Sequence, residues 1–290
     1  MKPHNPFYVS MLLLLSSVLV SVFAQQPPRS MSTVDAELSK ICGKESSPYA
    51  KRVRLIHALP SNLASEQLER CRAFLESPLE GQPLPDLEFN GLKNELVLAL
   101  LRQREGLTEL AELLVRMSRA QETDATWRDY CVQFLGKCYP RINDAKSREA
   151  MAEALWDALK TQRGGRAAGS AARQLMTLGR TFPEIPPAKV AAASLEALLD
   201  PVSSDETRTA LLQVCGTLGE NRALATARAI AGRNSAPVLR ASAIAAVGML
   251  GDASDLPLLK RLAASGDVRV SRPAKAAIER MRNTVKESTK

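Results

Sequence analysis

Histidine, aromatic residues and β-branched residues are all scarce in this chain of 290 residues. It contains two histidines, and Phe, Trp and Tyr together make up 4% of it. Strands favour aromatic and β-branched residues, whereas Ala, Leu, Arg and Glu, which are abundant here, favour helices. The composition therefore argues against a β-sandwich or barrel, and with 45% apolar and 24% charged residues it is globular rather than disordered. The sequence predicts an all-α protein.

Recognisable motifs of catalysis and cofactor binding are also missing. The chain has no G-x-x-x-x-G-K-[ST] or strand-borne G-x-G-x-x-G sequence for a nucleotide, and no C-x-x-C for a redox or zinc site. A Ser-His-Asp arrangement would have to use His57, which lies on a short amphipathic helix. Acid pairs such as Glu149 with Glu153 have the spacing of a solvated helix face. We therefore expect a protein that is not an enzyme and has no catalytic residue, metal or cofactor.

The longest apolar run lies near the start of the chain, from Met11 to Phe23. Lys2 precedes this run and the small residue Ala24 follows it, which is the pattern of a secretory signal peptide. The run is shorter than the roughly 20 apolar residues that a spanning helix needs. Residues 1–24 are therefore predicted to be a signal peptide, and the protein to be periplasmic or secreted. An uncleaved membrane anchor is the alternative.

Charge is unevenly distributed along the chain after the predicted signal peptide. Residues 25–145 carry 16 basic and 17 acidic side chains, whereas residues 146–290 carry 22 basic and 14 acidic ones. The positive excess thus lies in the second half. It could attract an anionic partner, or it could simply make the surface soluble.

The cysteines are odd in number, so at least one of the five has no partner within a monomer. Export would permit disulfides. Cys131 and Cys138 would lie roughly 10 Å apart along one helix, which is too far for a bridge unless the helix breaks at Gly136. Cys42 and Cys71 are less constrained, and a disulfide between them would pin the N-terminal segment to the first helical hairpin. Whether any disulfide forms does not follow from the sequence.

The C-terminal third contains an internal repeat. Residues 208–220 align with residues 240–252 at an offset of 32, and an Arg, two Gly and a Leu coincide. A further step of 31 residues aligns the apolar positions of the last segment but loses the closing Gly-Asp. Each unit is an apolar helix that ends at Leu-Gly, a short polar link and a second helix with paired leucines. Such a hairpin cannot cover its own apolar face, so neighbouring hairpins must stack.

The same pattern of paired helices is fainter upstream and divides the whole chain. About six hairpins and a terminal capping helix are predicted over residues 48–286. Residues 77–90 contain three prolines and are predicted to be an insertion or hinge. Residues 25–47 are predicted to be a polar, largely disordered tether with at most a short helix around Val34 to Cys42, and residues 287–290 a tail.

The repeat unit resembles the HEAT family, particularly its short bacterial form, over residues 204–282. The resemblance rests on Val238-Leu-Arg240 at the start of the first helix, Leu250-Gly-Asp252 in the turn and Leu258-Leu-Lys-Arg-Leu262 in the second helix. It implies a right-handed α-solenoid whose second helices line the concave face. It also implies a structural ladder between repeats, made by four residues. These are Arg208, Glu220, Arg240 and Asp252.

Basic residues on the predicted second helices could form a stripe along the concave face. These are Lys189, Arg228, Lys260 and Arg261. We expect an exported, non-catalytic scaffold or binding module, with a protein as the favoured partner. An anionic envelope polymer or a membrane surface is the other partner that such a stripe would fit.

Two further functions are weighed against this one. HEAT-like bilin lyases, which the chain resembles in architecture, imply an enzyme or enzyme subunit. Binding of nucleic acid or an envelope polyanion through the basic second half is the other, although export and the lack of a reading motif disfavour nucleic acid. Neither the identity of the partner nor the oligomeric state follows from the sequence.

Overall fold

A computed structural model describes residues 30–43 and 47–288, with side chains as far as residue 283. Within these ranges the chain is helical and contains no strand, which confirms the all-α prediction. The predicted signal peptide lies outside them. The helices are α1 (Met31–Cys42), α2 (Tyr49–His57), α3 (Ser65–Glu76), α4 (Asp86–Leu100), α5 (Leu107–Arg119), α6 (Ala125–Cys138), α7 (Ala145–Thr161), α8 (Ala167–Leu178), α9 (Pro187–Leu199), α10 (Asp205–Thr217), α11 (Leu224–Gly232), α12 (Pro237–Leu250), α13 (Leu256–Ala263) and α14 (Val268–Ser288).

These helices pack in two layers. Even-numbered helices form one layer, in which each packs against the next even-numbered helix from α2 to α14. Odd-numbered helices form the other, in which the same contact runs from α1 to α9. Each odd-numbered helix also packs against the even-numbered helix that follows it. The result is a stacked array of neighbouring helix pairs, and no helix in the described ranges is long and apolar enough to cross a membrane.

The links between helices lie along two edges of the array. We call edge A the one formed by links that follow odd-numbered helices, and edge B the one formed by links that follow even-numbered helices. Along edge A, Arg163 donates a hydrogen bond to the Asp200 carboxylate at 2.6 Å, and the Ser204 amide donates to the Arg163 carbonyl at 2.9 Å. On edge B, the Tyr139 hydroxyl donates to the Glu184 carboxylate at 3.0 Å. Contacts between successive links thus reinforce both edges.

Helix α1 corrects in part the prediction that residues 25–47 are a largely disordered tether with at most a short helix around Val34 to Cys42, because the helix spans Met31–Cys42. It buries three apolar residues that recur at helical spacing, Val34, Leu38 and Ile41. Asp35 accepts a hydrogen bond from Gln67 of α3 at 2.8 Å. The Ile41 carbonyl accepts one from Arg52 of α2 at 3.3 Å. The segment folds because this apolar stripe is covered by α2 and α3.

The proline-rich segment is shorter than the predicted insertion at residues 77–90. Residues 77–85 form the link between α3 and α4 on edge A, and α4 begins at Asp86. Pro85 is the N-cap residue of α4, a position at which no helical N–H is lost. Asp86 and Glu88 lie in the first turn, where their charges favour the helix dipole.

Small residues bring the even-numbered helices of the C-terminal half close together. A Cβ atom added to Gly248 of α12 would lie 2.5 Å from the Cβ of Ala277 in α14. One added to Gly169 of α8 would lie 2.8 Å from the Cβ of Ala210 in α10. Glycine is required at both positions because neighbouring helices leave no room for a side chain.

Long polar side chains are buried in the N-terminal half instead. They are Arg52, Gln67, Asn90, Lys93 and Gln103. Gln103 accepts a hydrogen bond from the Leu63 amide at 3.0 Å and donates one to the Pro60 carbonyl at 2.8 Å. It thereby provides hydrogen-bond partners for two backbone groups of the link between α2 and α3. Most buried polar groups in folded proteins have such partners.

Candidate binding cleft

Lys93 of α4 is buried, with 2% of its surface exposed. Its Nζ donates a hydrogen bond to the Ser77 carbonyl oxygen at 2.5 Å. Nζ also lies 5.0 Å from the ring centroid of Phe89 and 5.2 Å from that of Trp127, which is within the range of cation–π contacts. Two aromatic rings and one backbone oxygen therefore surround the ammonium group.

This environment lowers the pKa of Lys93. Burial lowers the pKa of Lys93 from the ordinary 10.5 to about 8, because the charged ammonium loses its hydration. Cys131 and Asp124 act in the opposite direction. Lys93 is thus largely charged at pH 7 and releases its proton at a pH where exposed lysines keep theirs.

Two other buried polar atoms near Lys93 have no hydrogen-bond partner in the described part of the chain. They are Nε1 of Trp127 and Oδ1 of Asn90. Nδ2 of Asn90 donates to Oδ1 of Asp124 at 2.8 Å, and the same oxygen accepts the Trp127 amide at 3.0 Å. Asp124 thereby fixes the start of α6 and the position of the Trp127 indole. Unpartnered buried polar atoms are uncommon in folded proteins and point to a ligand or water.

A cleft of about 480 Å³ adjoins these side chains on edge A. We call it the Lys93 cleft. Its lining residues are Glu76, Ser77, Pro78, Leu79, Glu80, Lys93, Met117, Ala120, Glu122, Thr123, Asp124 and Trp127. Glu76 pairs with Arg116, and Asp124 caps α6. Glu80 and Glu122 are exposed carboxylates of the lining, so the opening of the cleft is acidic although the whole chain is basic.

Sequence reasoning did not single out Lys93, although a signal was present. Phe89, Leu96 and Leu100 lie four residues before, three after and seven after Lys93, and all three are buried. These spacings place the lysine within the apolar stripe of its own helix. A lysine in that register must be buried or must bend out of the stripe, and here it is buried.

A second cavity of about 480 Å³ lies between α6, α8, α10 and α12. Asp129 and Ser170 contribute buried atoms, Oδ1 and Oγ, that have no partner among the described residues. Exposed groups of both signs surround them, including Arg173 and Glu206. This mixture of charges favours no single class of ligand.

The predicted basic stripe is distributed over three odd-numbered helices, and its four members differ in their surroundings. They are Lys189 of α9, Arg228 of α11, and Lys260 and Arg261 of α13. The Lys189 ammonium lies 4.6 Å from the ring centroid of Trp156 on α7. Arg228 forms a bidentate ion pair with Asp255 at 2.6 and 2.8 Å, so its charge is balanced within the array. The two residues of α13 are exposed.

The arginines of the predicted repeat ladder bond to backbone oxygens rather than to acids. Arg208 donates to the Asp200 carbonyl at 3.2 Å, and Arg240 donates to the Ala231 carbonyl at 3.0 Å. Each is the fourth residue of its helix and reaches the end of the helix before it, where carbonyl groups lack helical partners. Arg128 of α6 makes the same type of contact.

The acids of the predicted ladder make their hydrogen bonds within their own turns. Glu220 accepts hydrogen bonds from Arg222, two residues later, at 2.8 Å. Asp252 accepts the Ser254 amide at 2.8 Å and caps the turn before α13. Both hydrogen bonds are local, and Asp252 in addition attracts Arg228 of α11 electrostatically.

Cys42 and Cys71, the predicted pair, are free thiols that lie close enough for each to shift the pKa of the other. Cys131 and Cys138 lie on α6, which continues without a break through Gly136. The structure therefore places one cysteine pair within reach and keeps the other apart along a helix.

His57 makes a hydrogen bond with a carboxylate at the surface. Its Nε2 lies 2.7 Å from Oε2 of Glu95, and 56% of its side chain is exposed. It lines neither the Lys93 cleft nor the second cavity. Among the residues that the structure describes, no three His, Cys, Asp or Glu side chains are grouped so as to hold a metal ion.

No family model and no curated protein matches the chain, so its resemblance to HEAT repeats stays a prediction. Among solved structures, that of human deoxyhypusine hydroxylase in complex with glycerol is similar to it. The similarity covers 87% of this chain and 97% of the human one, with 16% sequence identity and a TM-score of 0.35.

This similarity corrects the prediction that the chain is not an enzyme. The exclusion rested on missing motifs, and a protein named as a hydroxylase is among the structures that this chain matches. At a TM-score of 0.35 the similarity assigns no activity and no catalytic residue to this chain.

Proposed function

We propose that this protein is a helical-repeat binding module that holds a basic segment of a partner protein in the Lys93 cleft. The observation that carries the proposal is the composition of the cleft. Two exposed carboxylates lie around a buried ammonium group and an unpartnered indole N–H. A peptide segment with a lysine or arginine side chain supplies a counterpart for each of these groups.

The exposed carboxylates account for the choice of a basic segment. Glu80 lies in the 77–85 link and Glu122 in the link between α5 and α6, so the two come from different walls of the cleft. Neither is neutralised by an ion pair in the described part of the chain. A cationic side chain between them would be attracted to both, and the attraction would weaken with salt.

The hydrogen-bond donors at the floor of the cleft are the reason for proposing a peptide as the ligand. Lys93 uses one of its three N–H groups on Ser77, and Trp127 keeps an indole N–H without a partner. Both are donors, and the backbone carbonyl groups of a peptide are acceptors. A simple polyamine would satisfy the carboxylates but would leave these donors unpaired.

The size and walls of the cleft fit the same occupant. A volume of about 480 Å³ lies within the range of small-ligand sites and suits a few residues of a peptide. Pro78, Leu79 and Met117 supply apolar surface for the methylene stem of a lysine or arginine. The surrounding array would act as a scaffold, which we propose to be a right-handed α-solenoid of HEAT-like hairpins.

A peptide titration tests this proposal. The probe is a fluorescein-labelled peptide of five residues that contains one lysine and one arginine, and its control contains glutamate and aspartate instead. Fluorescence anisotropy should report binding of the basic peptide, weakening from low salt to about 0.3 M salt as screening increases. The acidic peptide should not bind. Equal binding of both peptides would overturn the proposal.

Charge reversal locates the binding site. The double variant Glu80→Lys/Glu122→Lys should weaken binding of the basic peptide by about tenfold or more, since each exposed pair contributes up to about 1 kcal/mol. The control variant Glu105→Lys/Glu149→Lys has the same net charge, and both of its sites are exposed and outside the cleft. It should retain most of the affinity. An equal loss in both variants would show that only net charge matters.

Binding of an anionic partner is a second candidate, and Lys260 with Arg261 favours it. The two residues are adjacent and exposed on α13. They continue the proposal of a basic stripe, although Arg228 is balanced by Asp255 and adds little to it. An anionic polymer such as heparin is the direct probe, and its retention should fall in a Lys260→Glu/Arg261→Glu variant.

Export is proposed from residues 1–24 alone. The mass of the protein recovered after expression with its own N-terminus tests it, because cleavage after Ala24 would remove the apolar run. Recovery of the intact chain from the cell interior would contradict it.

A further inference from the structure

Helices α1 and α3 run side by side in the same direction. Asp35 pairs with Gln67 at 2.8 Å, and Ser39 accepts a hydrogen bond from Arg70 at 3.0 Å. Moving four residues along α1 therefore moves the contact three residues along α3. Cys42, the last residue of α1, comes three residues after Ser39, and Cys71 comes directly after Arg70, so both cysteines lie beside this second contact.

The two thiols differ in accessibility. Cys71 is fully buried, whereas Cys42 is partly exposed at the end of its helix. The interaction between the two thiols lowers the pKa of Cys42 and raises that of Cys71. Arg70 and Arg52 further favour the Cys42 thiolate.

The other cysteines do not share this arrangement. Burial raises the pKa of Cys138 and of Cys215 to about 12, so both are poor nucleophiles. Cys131 is also buried, and burial raises its pKa as well. An accessible thiol with a second thiol in contact occurs only at Cys42 among the described cysteines.

We propose that Cys42 and Cys71 are a dithiol site that is oxidised to a disulfide by exchange with a disulfide-bearing oxidant, Cys42 attacking first and Cys71 second. In the first step the Cys42 thiolate attacks one sulfur of the oxidant, forms a mixed disulfide and releases one thiolate. In the second step Cys71 gives up its proton and attacks the Cys42 sulfur, releasing the other half of the oxidant. Two protein thiols lose two electrons and two protons, and the oxidant disulfide becomes two thiols.

The bond would lock α1 to the rest of the array. Helix α1 begins the described chain and is held by the stripe of Val34, Leu38 and Ile41 against its neighbours. A covalent link at its last residue would limit its freedom in the unfolded chain and in any locally opened state. The site is independent of the Lys93 cleft, so neither proposal depends on the other.

Oxidised glutathione is the probe for this proposal. The native, fully reduced protein is incubated with it, quenched with acid and digested without reductant. Mass spectrometry should find a single linked peptide that joins Cys42 to Cys71, and maleimide labelling should fall from five thiols to three. All five thiols remaining free at high oxidant, or separate glutathione adducts on the two cysteines, would overturn the proposal.

Single variants test the order of attack. Cys71→Ser should accumulate a stable glutathione adduct on Cys42, because no resolving thiol remains. Cys42→Ser should accumulate almost none on Cys71, because that thiol is buried. Circular dichroism establishes that both variants are folded. A reversed pattern of adducts would contradict the assignment of Cys42 as the attacking thiol.

Thermal unfolding gives a measurement that does not depend on substitution. Oxidation of the wild-type protein should raise Tm by about 4 to 10 °C, as expected for a disulfide that closes a loop of this length. The same oxidant treatment should leave the Tm of the Cys42→Ser variant unchanged. A wild-type Tm that falls or stays the same after the linked peptide has formed would show that the bond does not secure α1.

Discussion

The N-terminal region, from α1 to α6, and the C-terminal region, from α8 to α14, use the same two-layer packing with different side chains. Between α8, α10, α12 and α14, small residues such as Gly169 and Gly248 allow close contact. Between α2, α4 and α6, aromatic rings and long polar side chains fill the space, with Phe89, Lys93 and Trp127 at the centre.

The two kinds of packing differ in how regular they are and in the polar groups they admit. Close contacts through Gly and Ala recur from one helix pair to the next and leave little room for a polar group. Packing with long polar side chains depends on partners in particular links, such as Ser77 for Lys93 and Pro60 for Gln103. The region that departs from the regular repeat is therefore the one that contains the Lys93 cleft.

The largest expected effect comes from adding one methyl group to the C-terminal region. Gly248→Ala would place a Cβ 2.5 Å from the Cβ and 2.8 Å from the Cα of Ala277. It should lower the free energy of unfolding by about 3 kcal/mol, since α12 and α14 must move apart. Urea unfolding followed by circular dichroism measures the loss.

Gly232→Ala is the matched control, because a Cβ there meets no atom within 4 Å. It should leave stability unchanged or raise it by up to about 1 kcal/mol. Equal losses in the two variants would show that helix propensity rather than close packing sets the glycine at position 248.

Loss of a buried amide should weaken the N-terminal region somewhat less. Gln103→Leu leaves the Leu63 amide and the Pro60 carbonyl without their partners, and should cost about 2 kcal/mol. Ser242→Ala is the C-terminal counterpart, since its hydroxyl accepts one bond from Gln213 at 3.2 Å. It should cost less than about 1 kcal/mol. A larger loss at Ser242 than at Gln103 would reverse the contrast between the regions.

The pH dependence of stability should reveal Lys93. In the unfolded chain this lysine keeps its proton up to about pH 10.5, whereas in the folded protein it gives it up near pH 8. The unfolded state then binds more protons, so the stability contributed by Lys93 rises with pH above 8. Wild type should gain about 2 kcal/mol relative to Lys93→Met between pH 7 and 9.5. If the free energies of unfolding of the two proteins changed in parallel with pH, the pKa of Lys93 would be that of an ordinary lysine, which would contradict the prediction.

The smallest effect is expected at the exposed basic pair of the C-terminal region. Lys260→Glu/Arg261→Glu should change the free energy of unfolding by less than about 0.5 kcal/mol, because both side chains are exposed. It should also leave basic-peptide binding at the Lys93 cleft largely intact. A marked loss of stability would indicate that these residues hold the array together.

Much of the helical pattern can be predicted from the sequence because it reflects local spacing. Apolar periodicity and the Leu-Gly endings place α10 and α12 close to their observed bounds. The polar surroundings of α1 predict a tether with at most a short helix around Val34 to Cys42, whereas the helix spans Met31–Cys42 and buries its own apolar stripe. Periodicity identifies the buried face of a helix but not the neighbour that covers it.

The polar contacts of the Lys93 cleft could not be predicted from the sequence for a related reason. Lys93 binds a carbonyl 16 residues away in sequence, and its aromatic neighbour Trp127 comes from another helix. The resemblance to HEAT repeats implies acid partners for Arg208 and Arg240, whereas their hydrogen bonds go to carbonyl oxygens at the ends of helices. Polar partners depend on which links meet at an edge, and that is set by the packed array.

The central claim is that a basic segment binds at the Lys93 cleft, and tryptophan fluorescence tests it most directly. The chain has two tryptophans, so Trp156→Phe leaves Trp127 in the cleft wall as the sole indole emitter. Titration with the basic peptide should shift the Trp127 emission along the same binding curve as the anisotropy. The shift should disappear in a Glu80→Lys/Glu122→Lys background. Saturable peptide binding with an unchanged Trp127 emission would contradict the account, because the peptide would then occupy another surface.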